Sequence, residues 1–167
     1  MKTKAIITFT LLSTALFIVM GFMTDEEDNL DIKNYDYLEE RLKNTKIYTI
    51  QVIEAMPESE YGYKPNKDVR SYTALASHII YSIEWNLEVM KGTPIKWNPG
   101  DEDGLSKKEL ITYANEQFNA FIDFVLKAEE TSKLTDKIID VLNHNAHHRG
   151  QMVTYLRMKG IEPPKYR

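Results

Sequence analysis

Residues 134–155 read LTDKIIDVLNHNAHHRGQMVTY, and their spacing decides the fold class. Leu134, Val141, His144, His148, Gln151 and Tyr155 recur at steps of three, four and seven. That spacing marks one face of an α-helix. A strand would need alternation of polar and apolar residues, and no window of the chain alternates convincingly. Moving towards the N-terminus, Glu129 to Lys133 interrupts the apolar rhythm, and Ser132 or Thr135 offers a cap for a new start. The preceding segment repeats the helical spacing in Leu110, Ala114, Gln117, Phe121, Phe124 and Ala128. Prolines and glycines cluster in the remaining gaps: Pro57, Gly62 and Pro65, then Gly92, Pro94, Pro99, Gly100 and Gly104. Both residue types break helices, so the stretches between them are the elements. The expectation is four helices over roughly 31–56, 68–91, 106–128 and 134–159. The first carries its stripe in Tyr35, Leu38, Leu42, Thr45, Thr49, Val52 and Met56. Four such helices with short or medium links read as an all-α four-helix bundle. No 20–50-residue period recurs, which excludes a solenoid.

The 167 residues contain no cysteine. That removes disulfide scaffolds, thiolate zinc sites, iron–sulfur clusters and cysteine nucleophiles. The net charge of −4 gives no basic footprint, so nucleic acid is not an expected partner. The N-terminal end has its own character. Lys2 and Lys4 precede an uncharged run, AIITFTLLSTALFIVMGFM, over residues 5–23, and Asp25 to Asp28 are all acidic. A positive start followed by an apolar stretch is the anatomy of an export signal. The run is also about long enough to cross a ~30 Å hydrocarbon core. Residues 1–23 are therefore expected to be a signal peptide or membrane anchor, 24–31 an acidic linker and 32–167 the bundle. The expected location is extracytoplasmic, periplasmic or secreted, or anchored and facing outward, with the membrane met only through that segment. Without residues 1–23 the chain has 19 basic and 25 acidic residues.

The four histidines are His78, His144, His147 and His148. His144 and His148 are four apart and project from one face of the fourth helix. Two imidazoles on an inward stripe leave polar nitrogens in low dielectric that something must satisfy. A divalent metal is one answer. His78, mid-helix among Leu75, Ile79, Ser82 and Trp85, supplies a third ligand from a facing element. Three histidines leave a position open for water or a small-molecule substrate. The alternative is that core histidines simply hydrogen-bond to neighbours. His147 points about 100° from His148 and is expected at the surface or behind the ligands. No Glu lies three before any histidine, His-Glu-x-x-His is absent, and no Gly-rich phosphate loop or G-x-S-x-G elbow exists. Glycine inside a helix costs about 1 kcal/mol against alanine. Gly150 is accordingly expected to mark close approach of another backbone, and Arg149 to form a salt bridge.

The stretch His144-Asn-Ala-His147-His148-Arg149-Gly150-Gln151, with Tyr155-Leu156-Arg157…Gly160…Pro163-Pro164, resembles the C-terminal signature of the DinB/YfiT-like family. Ala55-Met56-Pro57-Glu58, Tyr63-Lys64-Pro65 and Val69 to His78 resemble its first half. The resemblance covers roughly residues 32–166. It implies a four-helix bundle holding a divalent metal through His78, His144 and His148, and metal-dependent thiol S-transfer as one activity among members.

The expected function is a metal-dependent transferase or hydrolase in which the metal activates a thiol or water. The alternative is a non-catalytic metal- or ligand-binding bundle of the cell envelope. Histidine-only ligation does not choose between zinc, nickel, iron and manganese. Gln151, Glu84 and Tyr155 are the candidates for a catalytic or orienting role. An amphipathic bundle also makes a homodimer an expectation.

Overall fold

A computed structural model describes residues 33–93, 95–96 and 104–166. The expected export segment and acidic linker lie outside the described residues. Among the described residues four α-helices form the fold: α1 Glu39–Ala55, α2 Tyr72–Lys91, α3 Lys107–Lys127 and α4 Ser132–Met158. Among the described residues the only β-type pairing is an isolated bridge between Asn34 and Glu129, and no helix there is long and apolar enough to cross a membrane.

Local chemistry sets the helix starts. The Ser71 hydroxyl accepts from the Ala74 amide at 3.0 Å, so α2 begins at Tyr72 and not at 68. Ser106 and Glu109 form a reciprocal capping box at the start of α3. Thr131, not Ser132 or Thr135, caps α4 by accepting from the Leu134 amide at 3.2 Å. The first helix starts at Glu39, later than its apolar spacing suggested, because Asp36–Leu38 form a 3-10 turn. Tyr35 is nevertheless fully buried, and its hydroxyl donates to the Thr131 carbonyl. Gly92 ends α2 at φ +78°, a left-handed cap that favours glycine.

Helix α2 packs against α3 and α4, and α1 packs against the same two, so α1 and α2 face each other across the core. Leu42, Val52, Ile79, Ile83, Phe121 and Met152 are among its buried side chains. Each such burial contributes about 1.5–3 kcal/mol before entropy is counted. The first turns of α2 are buried nearly all round, from Ser71 to Ile80. The loop at 61–70 makes this possible without stranding backbone groups. The amides of Tyr72 and Thr73 donate to the carbonyls of Tyr63 and Tyr61, each at 3.0 Å. The end of α1 is closed by the same region. Tyr72 donates to the Val52 carbonyl, Tyr61 to Ile53, and Lys107 to Glu54. Three carbonyls that the last turn leaves orphaned are thereby satisfied.

Candidate metal centre

The packing of α2 on α4 brings His78, His144 and His148 together. His78 is buried and the other two are half-buried. The ring centroids lie 5.0 Å apart for His78–His144, 4.7 Å for His78–His148 and 4.5 Å for His144–His148. One ligand nitrogen from each lies within 4.8 Å of the others.

Two neighbours fix which nitrogen faces the centre. Ser82 donates its hydroxyl proton to the Ile79 carbonyl at 2.7 Å. Its oxygen must then accept from the Nδ1–H of His144, 3.0 Å away. A neutral imidazole carries one proton, so Nε2 of His144 keeps its lone pair. Likewise Nδ1 of His148 donates to Gln151 Oε1 at 2.8 Å, leaving its Nε2 as an acceptor. His144 Nε2 lies 3.2 Å from His78 Nε2. Two lone pairs at that distance repel unless a proton or a cation lies between them. Nitrogens around a tetrahedral metal at about 2.0–2.1 Å stand about 3.4 Å apart, so the donor set fits a divalent ion.

Electrostatics agree with this geometry. Burial pushes His78 down to about 4, with the charges of Arg70 and His148 adding to it. Burial also pushes His144 down to about 4, helped by the neighbouring histidines and Arg70. Both imidazoles are neutral at pH 7, which is the form that ligates. A cleft of about 490 Å³ opens beside His148, with Arg70, Gln151 and Tyr155 in its wall. A second, of about 460 Å³, opens beside His144, lined by Ser82, Trp85, Asn86 and Asp140.

The other expected residues are distributed differently. Gln151 holds His148, as just described. Tyr155 lines the cleft, and its hydroxyl donates to the Arg70 carbonyl at 3.2 Å. Burial, then the nearby Tyr63, raises its pKa, so it stays protonated. Glu84 is not gathered with the three histidines; it accepts a hydrogen bond from the Tyr113 hydroxyl of α3. His147 is exposed, with its ring 4.9 Å from that of His148.

Three expectations about α4 require correction. Its buried residues are Ile138, Val141, Asn145, Arg149, Met152, Tyr155 and Leu156; Val141 and Tyr155 lie on the expected stripe, but between them the buried face runs through Asn145, Arg149 and Met152, one residue round from His144, His148 and Gln151. The histidines therefore sit at the α2–α4 seam and not in the bundle's centre. Arg149 forms no salt bridge among the described residues. Its guanidinium donates to Asn145 Oδ1 at 2.7 Å and Thr49 Oγ1 at 3.0 Å, and lies 5.0 Å over the Tyr48 ring. Burial lowers its pKa. Gly150 does not mark close backbone approach: a Cβ there would meet nothing within 4 Å, because position 150 is exposed. Sequence reading treated Ser82 only as a flank of His78, although its i,i+4 spacing put it on the same face. Thr49 and Asn145 carried no signal of their partnership, since they meet only through the α1–α4 contact.

No protein-family model matches the sequence, and no curated protein matches it. Among solved structures, the chain is similar to the crystal structure of a DinB-like protein from Bacillus cereus ATCC 10987 at 2.01 Å resolution. The TM-score is 0.61 at 18% identity, over 75% of this chain and 93% of that one. The chain thus has a DinB-like fold.

Proposed function

We propose that this chain is a divalent-metal-binding protein whose three-histidine centre serves a transferase or hydrolase reaction on a small molecule. The observation that carries the reading is the convergence of His78, His144 and His148 with Ser82 and Gln151 turning two Nε2 lone pairs towards one point. The resemblance of the His144–Gln151 stretch to the DinB/YfiT-like signature supports it, as does the DinB-like fold. A divalent ion bound there lowers the pKa of a coordinated water or substrate thiol towards neutrality. The chain's residues do the rest. The imidazoles remain neutral donors, Ser82 and Gln151 hold two of them in place, and the cleft beside His148 admits the reactant. With no cysteine in the chain, any reacting thiol belongs to the substrate.

Metal analysis of untagged protein tests the centre. About one divalent ion per chain is expected, falling below about 0.2 when all three histidines become alanine. Equal content in both proteins overturns the reading. Turnover of thiols with electrophiles, and of amides and esters, then separates an enzyme from a metal-binding bundle. The extracytoplasmic location belongs to the same proposal and rests on Lys2, Lys4 and the apolar run that follows. An intact Met1 on soluble cytoplasmic protein contradicts it. A homodimer is proposed on amphipathicity alone, and sedimentation tests it.

A further inference from the structure

Away from the histidines, one side of α1 carries charges that the fold leaves unused. Tyr37, Glu40, Arg41, Asn44 and Thr45 follow helical spacing along α1 and the turn before it. With Tyr166 they line a cleft of about 500 Å³, a volume in the range of small-molecule sites. The end of α4 brings Tyr166 there. Gly160, at φ +71°, makes a left-handed turn, and the Ile161 amide donates to the Leu156 carbonyl at 2.9 Å. The segment beyond runs to Tyr166, whose ring meets that of Tyr48 on α1 edge-on at 5.2 Å. The tyrosines of the cleft stay open, Tyr37 62% and Tyr166 71% exposed.

Spacing explains why the charges have no partner. Arg41 has Leu38 and Asn44 three residues away and Tyr37 and Thr45 four away, so no acid stands at pairing distance on the helix. Glu40 has Lys43 three residues on, but Lys43 pairs with Glu39. Among the described residues no hydrogen bond or ion pair takes up the Glu40 carboxylate, the Arg41 guanidinium or the Asn44 side-chain amide. The surroundings add a direction. The Thr45 carbonyl accepts from the Thr49 hydroxyl at 2.7 Å, and Thr49 accepts from Arg149, whose buried charge has only neutral partners. At the other end the Tyr37 hydroxyl donates to Glu130 at 3.3 Å. The Thr45 end is therefore the positive one and the Tyr37 end the negative one.

We propose that this cleft binds an α-amino acid as its zwitterion. The ligand carboxylate takes paired, charge-assisted hydrogen bonds from the Arg41 guanidinium, with the field of Arg149 behind it. The ligand ammonium donates to the Glu40 carboxylate. An aromatic side chain lies against the open tyrosine rings, which lose water-exposed apolar surface when covered. A lone anion would meet Glu40 and a lone cation would meet Arg41, so only a ligand carrying both charges satisfies both walls. No histidine lines this cleft, and the inference does not depend on the reading of the metal centre.

The test is calorimetric titration of the full chain, stripped of metal, with L-phenylalanine, phenethylamine and 3-phenylpropionate. The three share one ring, and the last two each lack one of the charges. L-Phenylalanine is expected to bind about tenfold or more tightly than either. In Arg41→Gln it falls to the level of phenethylamine, and in Glu40→Gln to that of 3-phenylpropionate. Either single-charge ligand binding the wild type as tightly as L-phenylalanine overturns the zwitterion assignment. Equal L-phenylalanine affinity in the wild type and both variants, or no saturable binding at all, overturns the site. Glu40 and Arg41 are exposed, and circular dichroism confirms that their variants fold. Metal-loaded protein is expected to give the same affinities; binding that requires the metal places the ligand at the histidines and overturns the cleft.

Discussion

Helix α4 carries two polar clusters whose residues interleave, His144 with His148 and Asn145 with Arg149. They stand in opposite chemical conditions. The Arg149 cluster is bonded inward: guanidinium, threonine hydroxyl and amide oxygen all bond within the α1–α4 contact, and only the buried Asn145 amide nitrogen lacks a partner there. In the histidine cluster Ser82 and Gln151 use the outer nitrogens of His144 and His148, which leaves the Nε2 lone pair of each, that of His144 3.2 Å from His78 Nε2. One step along the helix, about 100°, separates a cluster that holds the fold from one that offers itself to a ligand. Polar residues within a bundle are thus not equivalent. The informative question is whether their hydrogen-bonding capacity is used up inside the protein.

That contrast can be broken in order of expected effect. His144→Ala should weaken metal binding by more than about 100-fold, beyond the loss typical of a residue behind the ligands. The urea midpoint of the stripped protein should barely move, since the side chain is half-buried. A stripped variant much less stable than wild type would mean that His144 belongs to the structural set. Arg149→Ala should do the converse. It strands Thr49 and Asn145 in the core and costs about 2–3 kcal/mol in chemical denaturation, with metal stoichiometry unchanged in the folded fraction.

pH distinguishes the clusters more gently. His78 and His144 have folded pKa values of about 4 against 6.5 for the free side chain. Between those values the unfolded chain binds more protons than the native one, so native stability falls as pH drops. Stripped protein should therefore keep its full contribution from these groups above about pH 6.5 and lose it progressively towards pH 4. Melting curves in chelator across that window check this, and His78→Ala with His144→Ala should flatten the slope. Gly150→Ala, on the exposed side between the clusters, should stabilise by about 1 kcal/mol through helix propensity, seen as a small rise in melting temperature. A loss of stability instead would restore the close approach that the structure removes.

The helices were legible because their signals are local: apolar spacing, Pro and Gly at the gaps, Ser and Thr at the starts. The errors are local too. Ser71 and Thr131 each satisfy a free amide of the first turn, and apolar spacing does not register such a bond. The histidine cluster was legible because two histidines four apart share a face and only one other histidine lies outside that helix. The orientation of α4 was not, because a histidine and an arginine weigh alike in a polarity pattern. Which of them points into the core depends on Thr49, a partner 100 residues away from Arg149.

The sequence by itself determined the four helices of the described residues, three clustered imidazoles and the absence of any thiol, because composition and i,i+4 geometry are properties of the chain. Only the tertiary structure decided that Ser82 sets the tautomer of His144, that Arg149 is a neutral-partnered anchor, and that Arg70 shares a cleft with His148. Those relations exist only where separate helices and a loop meet, and the chain's spacing carries no record of which atoms face across that contact.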